Sequence, residues 1–333
     1  MGMMDLSFDL NALAYEEVKL TALGANPRFS VILPLRNHAA TVADAIASAQ
    51  AQSLAEFELI VVDAGADDGS MAIVEAAAAL DPRITIIAAK VDSLSAARNA
   101  AAAIAKAPLI AFMEGDVIWT KDKLARHFAL HRVQPQMAAS YARIGVHKGT
   151  ATLQETSGAA ANWRASSLRM VDVLGAYPVR RIGNLVIRQD WFRRVGGLDQ
   201  TLFYAGDQDL VARVVEAGGL VQGVDATLVA RPASMREDTP EAQNIYANWL
   251  EIARRYLPQG PQSAELEALC CRTAARHALR MGESPVVALN FIRRGLRLDK
   301  SAFMDAPMRT LSLILCTLAS FALPSVLRRK IFA

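Results

Sequence analysis

The stretch that decides the fold is 57–80, which reads FELIVVDAGADDGSMAIVEAAAAL. From Phe57 to Val62 the residues are almost continuously apolar, and Asp63 ends that run. A polar turn follows, and 70–80 then has the alanine-rich composition of a helix. A short apolar strand, an acidic turn and a helix are the parts of a βαβ unit.

The same alternation continues on both sides of this stretch. The predicted strands are nearly continuous apolar runs, which is typical of a parallel sheet with both faces covered. The sequence therefore predicts an α/β fold with a mixed, mostly parallel sheet flanked by helices. The predicted strands are 29–35, 57–62, 83–88 and 108–113, and the predicted helices between them are 41–52, 70–80 and 93–106.

Beyond Asp116 the alternation loosens, and beyond about Met235 only helical patterns remain. We therefore divide the chain into an N-terminal arm at 1–28, a catalytic domain at 29–235 and an all-helical C-terminal region at 236–333. The later predicted helices are 121–132, 191–195, 207–217, 240–257, 262–281, 285–297 and 306–323, the later strands 137–146, 185–187 and 220–230, and 147–180 is predicted to be irregular.

Composition excludes several classes of protein. Hydrophobic residues make up 53% of the 333 residues, which excludes a disordered chain. The three cysteines, Cys270, Cys271 and Cys316, have neither disulfide nor metal spacing, which favours a reducing compartment. The N-terminus lacks the basic and apolar regions of a signal peptide. We expect a cytoplasmic protein with no nucleic-acid partner.

The net charge of +3 is unevenly distributed. From Leu250 onward there are 13 Lys and Arg against 6 Asp and Glu, so this part carries +7 and the preceding part −4. A basic end suits an anionic surface, although solvated helical faces explain it equally well.

The segment 311–327 contains 17 residues without a charge and precedes Arg328-Arg329-Lys330. A membrane-spanning helix needs roughly 20 apolar residues, and Pro324 interrupts this one. We favour a membrane-interfacial helix, which would place the protein at the inner face of the plasma membrane. A buried helix and a spanning segment remain alternatives.

Polar side chains follow three of the predicted strands. Asn37 follows the first, Asp63 the second, and Glu114 and Asp116 the fourth. Since ligands bind at the carboxyl ends of parallel strands, these residues are expected to converge on one crevice. Carboxylates beside a buried strand are costly unless they are used, for example by a divalent metal with a phosphate. The glycine patterns of dinucleotide-binding and P-loop proteins are absent.

Seven short motifs in order resemble the GT-A glycosyltransferases of family 2. The resemblance runs from about residue 28 to 235. It implies transfer of a sugar from a nucleoside-diphosphate donor, most commonly a uridine one, to a hydroxyl acceptor with inversion. The motifs are FSVILPLRN at 29–37, LIVVDAGADDGS at 59–70, SAARN at 95–99, FMEGD at 112–116, GNLVIR at 183–188, VGGLD at 195–199 and GDQDL at 206–210.

The resemblance assigns donor-binding residues. It implies that Asp63 holds the nucleotide base, where a turn aspartate is the alternative, and that Arg98 contacts a phosphate, where an exposed helical arginine is the alternative. Asp68 is interpreted as a cap or turn residue. The donor-binding set implied by the resemblance is Pro34, Asn37, Asp63, Arg98, Glu114, Gly115 and Asp116.

The resemblance also implies a metal site for Mg²⁺ or Mn²⁺. Glu114-Gly115-Asp116 matches the family's Asp-x-Asp motif, with Asp116 and Glu114 as ligands. The sequence departs from the pattern by having Glu first. It also has Arg231-Pro232-Ala233 where many members carry a histidine.

By the same resemblance Asp207 is the catalytic base, with Gly206 where the family usually has Glu. The rival interpretation is that Asp207 caps the helix at 207–217, with Asp209 as a first-turn acid. Trp191 and Arg188 line the acceptor side or, for Trp191, pack in the core.

His127 and His131 have the i, i+4 spacing of zinc ligands, but no third ligand is evident. Surface or half-buried histidines are therefore predicted.

Two other functions stay open at this point. A GT-A-like nucleotidyltransferase is one, although 35–38 lacks the glycines of its nucleotide loop. A degenerate, non-catalytic GT-A scaffold is the other. For the transferase, we expect a saccharide or lipid-linked acceptor in bacterial cell-surface polysaccharide or glycolipid synthesis. The sugar, the linkage and the oligomeric state are not encoded in any readable motif.

Overall fold

The computed structural model describes residues 26–88, 93–147, 166–175, 177–202, 205–232, 241–257, 260–324 and 327–328. The predicted arm at 1–28 lies outside these ranges except for its last three residues. Most of the segment predicted to be irregular, at 147–180, also lies outside them.

Eight strands of the described chain form one sheet in the order β3-β2-β1-β4-β7-β6-β8-β5. The pairs β1/β2, β1/β4, β2/β3 and β6/β8 are parallel, whereas β4/β7, β6/β7 and β5/β8 are antiparallel. The predicted mixed, mostly parallel sheet is confirmed. The strands are β1 Phe29–Leu35, β2 Phe57–Asp63, β3 Ile84–Ala88, β4 Leu109–Phe112, β5 Ile118–Trp119, β6 Met137–His147, β7 Val186–Arg188 and β8 Leu220–Pro232.

Helices cover both faces of the sheet. One buried cluster joins β1 and β2 to α1, and another joins the opposite sheet face to α3, α6 and α7. This arrangement explains why the strands are apolar on both faces. The helices up to the end of the sheet are α1 Val42–Gln50, α2 Ser70–Leu80, α3 Leu94–Ile104, α4 Lys123–Val133, α5 Met170–Leu174, α6 Gln189–Arg194 and α7 Gly206–Glu216, with a 3₁₀ turn at Ile182–Asn184.

A group of helices follows β8 and packs on the sheet domain. The indole N–H of Trp249 donates to the carbonyl oxygen of Leu174 at 2.5 Å. A Cβ added to Gly175 would lie 3.2 Å from Leu266, so the two parts are in close contact. These helices are α8 Ala242–Tyr256, α9 Pro261–Met281, α10 Pro285–Leu298, α11 Lys300–Phe303 and α12 Pro307–Ser320.

Helix α12 buries three hydroxyl side chains together with Leu313, and it exposes a stripe of large apolar side chains. Thr310, Thr317 and Ser320 are fully buried, and each hydroxyl donates to a backbone carbonyl. The exposed stripe, hereafter the α12 stripe, consists of Met308, Leu311, Leu315, Leu318 and Phe321. In the part of the chain that the structure describes, no helix has the length and apolarity to cross a membrane.

Candidate active site

The carboxyl ends of β1, β2 and β4 lie side by side at one edge of the sheet. Asp63 is the last residue of β2 and is in register with Leu35. Its Oδ1 accepts hydrogen bonds from the backbone N–H groups of Gly65 at 3.0 Å and Ala66 at 3.1 Å. Asp63 thus forms a turn, and its edge position is compatible with the predicted base contact. Pro34 is buried one residue inside this edge.

The loop after β1 is tied to the loop after β2. Asn37 adopts a left-handed φ of 56°, and its Oδ1 accepts from the N–H of Asp67 at 2.9 Å. Asp68 accepts from the N–H groups of Ala39 and Ser70, which makes it a turn residue. Hydrogen bonds from the Ser70 side chain and the Ala39 backbone lower the pKa of Asp68 to about 2.

The loop after β4 carries the acidic pair and packs against the first loop. Thr41 Oγ1 donates to the carbonyl of Gly115 at 2.7 Å. A Cβ on Gly115 would lie 2.8 Å from the ring of His38, so any side chain between Glu114 and Asp116 would force His38 to move. The donor-binding residues predicted from the three strand ends therefore share one continuous edge.

Arg181 holds the two carboxylates together. Its Nε donates to Glu114 Oε2 at 2.9 Å, and its Nη2 donates to both oxygens of Asp116 at 3.1 and 2.9 Å. Glu114 fits because Gly183 has no side chain: a Cβ there would lie 2.6 Å from Glu114 Oε2. The sequence motifs did not identify Arg181 as a site residue. The available signal was its position two residues before Gly183, the start of a family motif.

Arg98 lies behind the acidic pair and is buried, so its interpretation as an exposed helical arginine is wrong. Its Nη2 is 4.0 Å from Glu114 Oε1, and its Nε has no hydrogen-bond partner among the described residues. Burial lowers the pKa of Arg98, while the charges of Glu114 and Asp207 oppose that shift. The neighbouring Asn99 instead forms two hydrogen bonds with the backbone of Leu198, at 2.8 and 2.9 Å, which is a structural role.

Asp207 is the second residue of α7 and faces this cluster. The N-cap is Ala205, with a φ of 59° and no side-chain cap, so the interpretation of Asp207 as the N-cap is wrong. Burial raises the pKa of Asp207 to about 6, whereas the nearby Tyr177 hydroxyl and the backbone N–H of Gln208, which donates to Asp207 Oδ1, act to lower it. The charge of Glu114 raises it further. A carboxyl group with such a pKa is suited to proton transfer near neutral pH.

Asp209 lies two residues further along α7 and has a different environment. It is fully buried and accepts hydrogen bonds from Arg213 at 2.8 Å, Arg255 at 3.2 Å and Tyr256 at 3.3 Å. Because Arg255 and Tyr256 belong to α8, Asp209 anchors the C-terminal helices to α7.

The segment 177–184 connects the acidic pair to Asp207. Tyr177 and Arg180 adopt left-handed φ values of 39° and 63°, which is costly for residues with a Cβ. The side chain of Asn184 fixes the segment through hydrogen bonds to both backbone groups of Ala142 and to the carbonyl of Val179. Strain held by such tight anchoring is common at functional sites.

The acidic pair is compatible with a shared metal ion. Glu114 and Asp116 already converge on one cation, the Arg181 guanidinium. Among the described residues, no group of three or more His, Cys, Asp or Glu side chains is arranged to hold a metal. An ion bound here would take its remaining ligands from water and diphosphate oxygens, as Mg²⁺ commonly does.

Two predictions about residues outside this edge are wrong. His127 and His131 are buried. The Ser140 hydroxyl lies 2.7 Å from Nδ1 of His127 and 2.9 Å from Nε2 of His131. They form a core cluster with Lys123, whose pKa burial lowers to about 7. Arg188 pairs in register with Leu109, at the amino end of β4, so it lies at the edge opposite the site.

The sheet order and its acidic edge define the GT-A glycosyltransferase fold. A fragment of S. aureus TarS in complex with UDP-GlcNAc superposes with a TM-score of 0.58 at 15% identity, covering 89% of this chain and 91% of that one. A mannosyltransferase, PcManGT from Pyrobaculum calidifontis, in complex with GDP-Man and Mn²⁺, gives a TM-score of 0.53 at 16% identity, covering 88% of each. At these identities the likeness establishes the fold alone.

The chain belongs to glycosyltransferase family 2. The family model described as "Glycosyl transferase family 2" matches residues 30–196, half of the chain. A relative, the putative teichuronic acid biosynthesis glycosyltransferase TuaG of Bacillus subtilis (strain 168), is 35% identical over 101 residues, 30% of this chain and 40% of that protein. The uncharacterized glycosyltransferase EpsJ of the same organism is 36% identical over 90 residues, 27% of this chain. The matches thus span 40% of TuaG and 26% of EpsJ.

Proposed function

We propose that this family 2 glycosyltransferase moves a hexose-type sugar from a nucleoside-diphosphate donor to an acceptor hydroxyl with inversion. The observation that carries the proposal is one continuous cluster in which Asp207, Arg98, Glu114, Asp116 and Arg181 interact. Acids that lie far apart in the sequence meet at the sheet edge where α/β folds bind ligands.

In the proposed reaction, Asp207 accepts the proton of the acceptor hydroxyl as its oxygen attacks the anomeric carbon. Its raised pKa, about 6, makes it a stronger base than an ordinary aspartate while leaving it mostly ionised at neutral pH. Tyr177, next to Asp207, orients the carboxylate. The bond from the anomeric carbon to the diphosphate breaks on the opposite side, which is why inversion is expected.

The donor side of the proposal uses the strand ends. Asp63 binds the nucleotide base, and Pro34 and Asn37 shape the wall beside it. Arg98 holds phosphate oxygens, since a buried guanidinium with an unsatisfied Nε has both the charge and the hydrogen-bonding capacity for them. We expect a UDP-sugar, which is supported by the fold likeness to the TarS fragment in complex with UDP-GlcNAc.

Glu114 and Asp116 are the residues that would hold Mg²⁺ or Mn²⁺. When bound, such an ion neutralises charge that develops on the departing diphosphate. Arg181 must release at least one carboxylate for this, and its guanidinium is then free to bind the diphosphate itself.

The acceptor is proposed to be a saccharide or lipid-linked intermediate of bacterial cell-surface polysaccharide synthesis, acted on at the cytoplasmic face of the membrane. TuaG, a relative over part of its length, is described as a "putative teichuronic acid biosynthesis glycosyltransferase". The α12 stripe, with Arg309 and Arg328 near its ends, matches an interfacial helix on an anionic membrane.

A donor panel tests the catalytic proposal. Purified full chain is incubated with UDP-, GDP- and dTDP-sugars, with and without Mn²⁺, and release of nucleoside diphosphate is measured. We expect release from one donor class that is lost in Asp116→Asn and Asp207→Asn. A protein that binds no nucleotide and releases none is the scaffold of the alternative interpretation, and release of pyrophosphate from a nucleoside triphosphate and a sugar phosphate would identify a nucleotidyltransferase.

Vesicle sedimentation tests the membrane proposal. We expect Leu311→Ser/Leu315→Ser to reduce binding to vesicles that contain phosphatidylglycerol. Leu80→Ser, which alters an exposed leucine on α2, is the matched control and should bind as the wild type does. Equal binding by all three proteins argues against an interfacial α12.

A further inference from the structure

Five arginines from three parts of the fold lie close enough for the charges of four of them to act on the fifth, Arg276. We call them the guanidinium cluster: Arg180, Arg272, Arg276, Arg280 and Arg309. Three of them, Arg272, Arg276 and Arg280, are four residues apart along α9 and therefore lie on one face of that helix.

The arrangement of α9, α11 and α12 brings the fourth arginine to this face. Arg272 Nη1 and the Thr310 hydroxyl both donate to the carbonyl oxygen of Phe303, each at 3.1 Å. Arg309 immediately precedes Thr310, so the start of α12 lies against the arginine face of α9.

The fifth arginine comes from the catalytic part of the chain. Arg180 is exposed, has a left-handed backbone, and directly precedes Arg181, which binds the acidic pair. Desolvation lowers the pKa of Arg276, and the positive charges of Arg272, Arg280, Arg309 and Arg180 lower it further. The cluster therefore borders the proposed reaction site.

Among the described residues, little negative charge compensates the members of this cluster that lie on α9 and α12. Arg272 pairs with Asp305. For Arg276, Arg280 and Arg309 the described residues provide no hydrogen bond or ion pair with a carboxylate. Like charges held together by the fold are unfavourable, and an anion that binds several of them at once removes that cost.

We infer that the guanidinium cluster binds a phosphate group of the acceptor, so that the acceptor is a phosphate-bearing saccharide or lipid. Guanidinium groups pair with phosphate through two parallel hydrogen bonds, which favours this anion over a single carboxylate. The inference rests on the proposed transferase function, because it assigns the cluster to the acceptor of that reaction. The adjoining α12 stripe would accommodate the apolar part of a lipid-linked acceptor.

The variant pair Arg276→Gln/Arg280→Gln tests the site, with Arg293→Gln/Arg297→Gln on α10 as the matched control. Both pairs remove two positive charges from exposed helical positions. The first measurement is binding of inorganic pyrophosphate to the full chain by calorimetry, with the donor site blocked by saturating UDP. We expect the Arg276/Arg280 pair to weaken binding by about tenfold or more and the control pair to leave it unchanged. Equal loss in both pairs, or in neither, overturns the inference.

The second measurement identifies the source of the phosphate. Transfer is compared between a sugar linked to a short prenyl diphosphate and the same sugar on an uncharged alkyl chain. We expect the Arg276/Arg280 pair to raise KM for the diphosphate acceptor by about tenfold, with kcat and donor hydrolysis unchanged, and to leave the uncharged acceptor unaffected. If only binding to phosphatidylglycerol vesicles falls, the cluster binds lipid headgroups and the acceptor assignment is wrong.

These measurements separate the two proposals. Failure of donor hydrolysis in the wild type counts against the transferase. The pyrophosphate titration still reports on the guanidinium cluster in that case, because it needs no turnover.

Discussion

The two halves of the candidate site are built in different ways. The strand-end half consists of the loops after β1, β2 and β4, and its polar residues follow their strands directly in the sequence. The loop half consists of the 177–184 segment and the start of α7, and it is held in place by distant contacts such as that of Asn184 with Ala142. The difference teaches that a parallel sheet brings its own strand-end residues together, whereas the residues that face them are positioned by contacts with distant parts of the fold.

Replacing the predicted base is expected to have the largest effect on the loop half. Asp207→Asn should lower kcat for transfer by about 10²–10⁴-fold, the usual contribution of a general base. Nucleotide binding, measured by calorimetry, should remain because the strand-end half is intact. Retention of more than a tenth of the wild-type kcat would mean that another group accepts the proton.

Asp209→Asn is the matched change two residues away, and it tests anchoring rather than chemistry. Removing the buried carboxylate leaves Arg213 and Arg255 without their shared partner. We expect the free energy of unfolding in urea to fall by about 2 kcal/mol, since both arginines keep some contact with solvent. The kcat of the folded protein should stay near the wild-type value. A large loss of kcat with unchanged stability would reverse the roles assigned to Asp207 and Asp209.

Arg181 joins the two halves, so its replacement tests whether they compete for the acidic pair. In the wild type, Mn²⁺ has to displace the Arg181 guanidinium from the carboxylates of Glu114 and Asp116. In Arg181→Gln this ion pair is absent, so the metal displaces only a neutral side chain. We expect Mn²⁺ to bind about tenfold more tightly, as measured in a titration that monitors its electron paramagnetic resonance signal. Arg181→Lys keeps the charge and is the control. Unchanged Mn²⁺ affinity in the glutamine variant would show that the guanidinium does not occupy the ion's position.

The pH dependence of transfer reports on the loop half alone. Asp207 must be deprotonated to act as a base, and its pKa is raised to about 6. We therefore expect kcat/KM to be level above this pH and to fall about tenfold per unit below it. Tyr177→Phe removes a nearby hydroxyl that favours the Asp207 carboxylate, so it should move the inflection to higher pH. An inflection that stays near pH 4 would contradict the buried environment of Asp207.

The smallest effect is expected from a change within the strand-end half. Thr41→Val removes the hydrogen bond to the Gly115 carbonyl while keeping the side-chain shape. We expect a loss of about 1 kcal/mol in the free energy of unfolding and a modest rise in KM for the donor. Thermal unfolding and initial rates measure the two effects. Thr201→Val, in the exposed turn at Asp199, is a control that should leave KM unchanged.

The sequence was most informative where structure is local. The apolar runs predicted β1 at Phe29–Leu35 without error and β2 within one residue, because a strand buried on both faces has to be apolar throughout. The two-residue strand β5 and the short helix α5 were not foreseen, since segments of that length have no periodicity to detect.

Side-chain environments were predicted less well than elements. His127 and His131 were expected near the surface but are buried around Ser140, because burial of a polar cluster requires partners that only the folded chain supplies. Arg98 was similarly ambiguous between an exposed and a functional position. Nothing in its neighbourhood in the sequence indicates that Glu114 and Asp207 lie beside it.

By itself, the sequence determined the sheet, its acidic edge and the family, because apolar periodicity and strand-end polar residues act through the nearest few residues of the chain. Only the tertiary structure decided that Asp207 faces Glu114 while Asp209 anchors α8, that Arg181 bridges the acidic pair, and that five arginines meet beside it. Those outcomes depend on which distant groups approach a side chain, and it is their charge, burial and hydrogen bonding that distinguish two aspartates separated by one residue.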